Sequence, residues 1–139
     1  MAGGETPRYL SLADVIAIHQ FIIERMGGHP FPLRDEGLLE SAIMRAQMAA
    51  YYATADLVRQ CALLAVGIAQ AQAFLDGNKR TAFGAADAFL RLNRLVYQGD
   101  YLDLAKQLEV VATRTGSFDD ATGRFEAWLR ERVTFPAIQ

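Results

Sequence analysis

The chain has a single cysteine, Cys61, so it forms no internal disulfide and a disulfide-stapled fold is excluded. Only two histidines, His19 and His29, stand beside that cysteine, and no zinc-ligand spacing results. Cys61 itself reads as a small core residue. The longest apolar run, Cys61 to Ala69, has nine residues, against roughly 20 for a membrane span. No charged segment leads into an apolar stretch at the N-terminus, so a soluble, cytoplasmic protein is expected. Lys and Arg form no block. Fourteen of them against 16 acidic residues leave a net charge of −2, which argues against a direct nucleic-acid partner. The G-x-x-x-x-G-K-[ST] pattern is missing, which excludes a P-loop kinase.

What is present is a chain of 139 residues, 52% of them hydrophobic. That length and composition suit one domain, 1–139, with a sizeable buried core. Residues 1–7 are small, polar or flexible. Ser11-Leu12-Ala13-Asp14 reads as a capping box that starts a helix with Val15, Ile18, Phe21 and Ile22 as its apolar positions, ended by Gly27-Gly28. A loop containing Pro30 and Pro32 follows, then an amphipathic helix from Glu36 to about Met48 with Leu39, Ile43 and Ala46 facing the core. Between Asp56 and Phe74 the apolar residues lie almost all round the helix, the mark of a centrally buried one. A further helix carries Ala82, Phe83, Ala86, Phe89 and Leu90 and ends near Asn93. Val96-Tyr97-Gln98 suits an extended run. Leu104, Leu108 and Val111 repeat along a helix between Asp100 and Thr115. Ser117-Phe118-Asp119-Asp120 offers a second capping box for a last helix with Phe125, Trp128 and Leu129. Six helices and at most one hairpin result, an all-α fold in which Phe83, Phe89, Phe125 and Trp128 are core.

The segment with chemical content is Ala73-Phe74-Leu75-Asp76-Gly77-Asn78-Lys79-Arg80-Thr81, a turn that opens a helix. The first amides of a helix lack internal partners and sit at the positive end of its dipole, so Gly77, Asn78 and Lys79 can offer donors to phosphate. Lys79 and Arg80 add charge where the dipole disfavours cations unless an anion binds. Asp76 supplies an oxygen suited to magnesium. The plain alternative makes Asp76 or Asn78 a helix N-cap beside two surface cations.

This segment resembles the Fic/Doc signature H-x-F-x-[DE]-G-N-[GK]-R, and its Doc branch in having Lys after Asn. Gly27-Gly28 followed by Arg34-Asp35-x-Gly37-Leu38-Leu39-Glu40-Ser41-Ala42 strengthens the resemblance, which covers roughly residues 8–130. It implies a Fic/Doc-like bundle with a small flap over residues 27–37 and a signature loop over 72–80. It further implies a toxin of a toxin–antitoxin pair that uses ATP and Mg2+ to phosphorylate a hydroxyl of elongation factor Tu, with a Phd-like antitoxin as partner. Phe74 would anchor the loop, Asp76 would hold the metal, Gly77, Asn78 and Lys79 would form the anion hole, and Arg80 would bind phosphate. In the AMP-transferring branch a glycine usually replaces Lys79 and a second arginine replaces Phe83, so AMP transfer to a protein hydroxyl is the alternative.

One position departs from the pattern. The family's motif begins with a histidine that removes the acceptor's proton, and this chain has Gln72 there. A carboxamide can orient a hydroxyl but is no base near neutral pH, so weak activity, or a catalytically silent nucleotide- or antitoxin-binding module, is expected. The Gln72 side chain is expected to point toward the anion loop. His29-Pro30-Phe31 imitates the start of the motif at the wrong spacing, and a solvated loop residue is expected at His29. His19 reads as a half-buried packing residue.

Overall fold

Residues 6–28, 33–113 and 116–135 are described by the computed structural model. Along them run α1 (Leu12–Arg25), α2 (Glu36–Ala53), α3 (Leu57–Ala71), α4 (Asn78–Leu92), β1 (Val96–Tyr97), α5 (Tyr101–Ala112), α6 (Phe118–Arg130) and β2 (Val133–Thr134). The helix with apolar residues all round is α3, and it is the central one. Every position from Gln60 to Ala69 is buried, and α2, α4, α5 and α6 pack around it. The core continues through Leu39, Phe89, Leu90, Leu104, Leu108, Phe125 and Leu129. Each such side chain contributes about 1.5–3 kcal/mol through burial.

Helix starts follow their capping residues. Ser11 and Asp14 form the expected box, the Asp14 amide donating to Ser11 Oγ at 3.1 Å and the Ser11 amide to Asp14 Oδ2 at 2.8 Å. Asp35, Asp56, Asp100 and Ser117 each accept a first-turn amide of α2, α3, α5 and α6. Helix ends diverge more from expectation. α2 continues past Met48 to Ala53 because Ala49 and Ala50 favour helix, until Thr54 takes a left-handed conformation. α3 stops at Ala71, short of Phe74, because Gln72 is left-handed too. The run at Val96 is extended as expected, and its partner is β2 near the far end of the chain, with Val96 opposite Thr134 and Tyr97 opposite Val133.

α1 buries the row Val15, His19 and Ile23, spaced by one helical turn each. Phe21, one of the apolar positions read along this helix, falls on its other side, 59% exposed, with the Arg25 guanidinium 4.9 Å from its ring centroid. α1 lies close on α4 at Gly84, where a Cβ would stand 2.7 Å from Ile18 Cγ2. Phe89 and Phe125 are fully buried, whereas Phe83 and Trp128 are partly so, joined through Tyr97 and Tyr101 in one aromatic cluster. Of the 27–37 segment, Pro30, Phe31, Pro32 and the solvated residue expected at His29 lie outside the described residues, as do 1–5 of the N-terminal segment. No helix among the described residues is long and apolar enough to cross a membrane.

Asp56 does two jobs. It caps α3 by accepting the Arg59 amide at 2.9 Å, and it receives both Arg130 Nη1 and Nη2 of α6 at 2.8 and 3.1 Å. Arg130 also reaches Glu126, which pairs with Arg59 at 3.0 Å. The Arg130 hydrogen bonds hold the Asp56 carboxyl below its ordinary range, and the two carboxylates raise Arg130 in turn. Asp56→Ala is expected to cost about 1–2 kcal/mol in urea unfolding through loss of the cap. Asp56→Asn keeps an acceptor and costs less, because both charged side chains are about half exposed and screened. A lowered carboxyl stabilises the fold above its unfolded value, roughly pH 4, and ceases to as pH falls through the lower folded value. The gap between wild type and Asp56→Asn is therefore expected to hold steady near neutrality and to close in acid.

Candidate functional site

The loop from Gln72 to Gly77 carries the chain from the end of α3 to the start of α4. Ala73 and Phe74 are buried, at 1% and 2% exposure, which pins the loop to the core. The Asn78 side chain then closes the turn on itself. Its Oδ1 accepts the Phe74 amide at 3.1 Å and its Nδ2 donates to the Phe74 carbonyl at 2.9 Å. Two buried backbone groups that no ladder reaches are thereby satisfied. Gly77 sits at φ +82°, a conformation that glycine adopts without the Cβ penalty, and a Cβ there would stand 3.0 Å from Ile23 Cδ1 of α1. From the other side, the Arg34 and Asp35 amides both donate to the Ala73 carbonyl, and Arg34 Nη2 donates to the Gln72 carbonyl at 2.6 Å. The described part of the expected flap is thus fastened to the loop.

The N-cap of α4 is Gly77, not Asp76 or Asn78, and it makes no side-chain capping bond, unlike the caps of the other helices. First-turn amides of α4 therefore keep their donors and the helix keeps its positive end. Lys79 and Arg80 are exposed at that end. Among the described residues Lys79 has no ion-pair or hydrogen-bond partner, and Arg80 Nη1 donates to Met26 Sδ at 2.6 Å, a weak acceptor for a guanidinium. Asp76 is exposed and its Oδ1 accepts the Gly77 amide at 2.8 Å, leaving Oδ2 without a partner among the described residues. No cluster of three His, Cys, Asp or Glu exists among the described residues. A lone carboxylate oxygen beside the open helix end nevertheless fits magnesium, which is commonly held by one or two carboxylates together with substrate phosphates.

The structure thus brings Asp76, Gly77, Lys79 and Arg80 to one helix end, while the Asn78 side chain, 8% exposed, is occupied by the turn. Gln72 is exposed, and its Nε2 donates to the Ala69 carbonyl at 3.3 Å. The expectation of a side chain aimed at the loop is corrected: the left-handed backbone at Gln72 ends α3, and the amide serves that helix's last turn. Cys61 is fully buried, and burial foremost, with the Asp87 charge, pushes its thiol up to about 12, in keeping with a core residue and not a nucleophile. Sequence reasoning missed the part played by His19. It packs against the core as expected but is buried outright, not half-buried, and it also hydrogen bonds the loop, with Nε2 2.8 Å from the Asp76 carbonyl oxygen. The i, i+4, i+8 spacing of Val15, His19 and Ile23 held that signal.

A model of the Fic/DOC family matches residues 9–90. Toxin Doc of Mycolicibacterium smegmatis is 36% identical over 115 residues, covering 80% of this chain and 85% of the relative. Protein kinase doc of Escherichia phage P1 is 40% identical over 87 residues, covering 62% of this chain and 68% of the relative.

The two kinds of loop residue are separable by stability. Asn78→Ala leaves the Phe74 amide and carbonyl unpaired in the core, and a loss of about 2–4 kcal/mol is expected in thermal or urea unfolding. Lys79→Ala removes an exposed cation from the positive end of α4 and is expected to change stability by no more than about 0.5 kcal/mol, in the stabilising direction.

Proposed function

The chain belongs to the Fic/DOC family, and from that premise we propose that it is a Doc-like toxin of a toxin–antitoxin pair. Its site is built for ATP-dependent phosphoryl transfer to a hydroxyl of elongation factor Tu and is impaired in this chain by Gln72. The observation that carries the reading is the uncapped start of α4, where Lys79 and Arg80 are held against the dipole without carboxylate partners among the described residues. The relatives, a toxin and a protein kinase by name, support the toxin role and the transfer of phosphate. The Doc-type Lys79 and the absence of an arginine at Phe83 favour phosphoryl over AMP transfer.

In this reading the α4 amides, Lys79 and Arg80 hold the nucleotide phosphates, and Asp76 would ligate the metal. Magnesium, when bound, offsets the phosphate charge. Gln72 holds the position from which the motif's histidine would meet the acceptor hydroxyl, and its amide would have to leave the Ala69 carbonyl to do so. Transfer forms a bond between that oxygen and the terminal phosphorus, breaks the bond to the bridging oxygen and releases ADP, while the hydroxyl proton must leave. Gln72 can orient the hydroxyl but cannot take that proton, so solvent must. The transition state is loose, and positioning with charge stabilisation supplies most of the acceleration. A catalytically silent module that binds nucleotide and a Phd-like antitoxin is the second reading, favoured by the engagement of the Gln72 amide with Ala69.

Phosphate incorporation into elongation factor Tu separates the readings. Gln72→His is expected to raise it by roughly 10²–10⁴-fold and to arrest growth when expression is induced. A histidine variant that neither modifies the factor nor slows growth leaves the silent module in its place, and an adduct of AMP instead of phosphate overturns the choice of chemistry.

Binding is tested separately by calorimetry with Mg·ATP. Lys79→Ala and Arg80→Ala are each expected to weaken it. Asp76→Asn should abolish the dependence on magnesium while leaving the fold intact, since the amide oxygen can still accept the Gly77 amide. Affinity indifferent to all three substitutions removes the anion-site assignment.

A further inference from the structure

One row of α1 lies behind the loop. His19 is 2% exposed, its ring parallel to Phe74 with centroids 3.8 Å apart and planes 8° apart. Ile23 Cδ1 lies 3.0 Å from where a Cβ on Gly77 would stand, and Met26, just beyond the helix end, accepts from Arg80. A carbonyl oxygen only accepts, so the bond between His19 and Asp76 requires the proton on Nε2. The stack on Phe74 fixes the ring that carries it.

The carbonyl that His19 holds and the amide of Gly77 belong to one peptide group. In a trans peptide the C=O and N–H vectors are opposed, so drawing the Asp76 oxygen toward α1 turns the Gly77 N–H away from it. On that outward side the amide meets the Asp76 carboxylate at 2.8 Å. Glycine at the next position tolerates either face of this peptide, so the loop alone does not fix its orientation. Asn78 secures the Phe74 end of the turn and leaves the Asp76–Gly77 peptide to another partner.

We propose that His19 is a positioning residue of the phosphate site: its Nε2–H locks the Asp76–Gly77 peptide with the amide and the neighbouring carboxylate turned toward bound Mg·ATP. The proposal deepens the nucleotide-binding reading above and rests on it for the identity of the ligand. The peptide lock itself is a property of the free protein.

Two substitutions part the donor from the ring. His19→Phe keeps a flat ring against Phe74 and removes the donor, whereas His19→Gln sacrifices the ring and returns an N–H at similar reach. Amide hydrogen exchange of the free proteins and calorimetry with Mg·ATP read the result. His19→Phe is expected to speed exchange at Gly77 and to weaken Mg·ATP by roughly 2- to 10-fold, the range that one neutral hydrogen bond commands. His19→Gln is expected to recover most of both, with exchange in the middle of α3 unchanged in either variant.

Loop exchange and affinity unaltered in His19→Phe overturn the proposal. So does a pattern in which both variants lose loop protection and α3 protection together, since that marks His19 as packing alone. The unsubstituted protein gives an independent check by nitrogen NMR: the Nε2–H tautomer is expected at His19, and the Nδ1–H tautomer contradicts the lock. Failure of the wild-type protein to bind Mg·ATP would sink the nucleotide reading, while exchange and tautomer still decide whether His19 sets the peptide.

Discussion

A helix that is apolar on every side has to be enclosed on every side, and α3 imposes that requirement on the whole molecule. Exposing one of its faces would return to water side chains worth about 1.5–3 kcal/mol each, so α2, α4, α5 and α6 are all committed to covering it. The site follows from this enclosure. α3 ends at the partly buried Ala71, the exposed Gln72 turns the chain, and Ala73 and Phe74 return at once to the core. The turn therefore delivers the first amides of α4 at the edge of the core.

Much of this was legible in the sequence because the signals are local. Capping boxes marked two of the helix starts, at Ser11 and Ser117, the caps Asp35, Asp56 and Asp100 came to light only in the folded chain, and the ring of apolar residues between Asp56 and Phe74 marked the central helix. Helix ends were less legible. Thr54 and Gln72 end their helices in a left-handed conformation that neither residue favours, so tertiary packing and not propensity sets those boundaries. The pairing of Val96 with Thr134 joins segments separated by α5 and α6, and a two-residue strand carries no signal of its partner. The apolar positions read along α1, Val15, Ile18, Phe21 and Ile22, did not single out its inward row, which is the one containing a histidine and leaves Phe21 outside it.

The site shows a similar division. Its charges were legible, because Asp76, Lys79 and Arg80 cluster in sequence and α4 puts them at one end. Its supports were not. Arg34 and His19 reach the loop from 38 and 57 residues away in sequence, and no local pattern joins them to it. Asn78 looked like a phosphate ligand by its place in the motif, and in the folded chain its side chain is the clasp of the turn.

That division explains how one letter of the signature can change while the rest of it stands. Phe74 fills the core, Asn78 satisfies the Phe74 backbone, and Gly77 supplies a positive φ under Ile23, so these positions answer to folding. Asp76, Lys79 and Arg80 face water and answer to charge. Position 72 belongs to neither group. Its backbone ends α3 and lends a carbonyl to Arg34, and both contributions come from main-chain atoms that the side chain does not determine. The Gln72 amide adds one long bond to Ala69 at the helix end. A glutamine there asks nothing of the core, leaves the loop's hydrogen bonds in place and keeps the charged end of α4 as it is. The residue with the greatest chemical consequence in the proposed reaction is thus the one on which the architecture of the loop depends least.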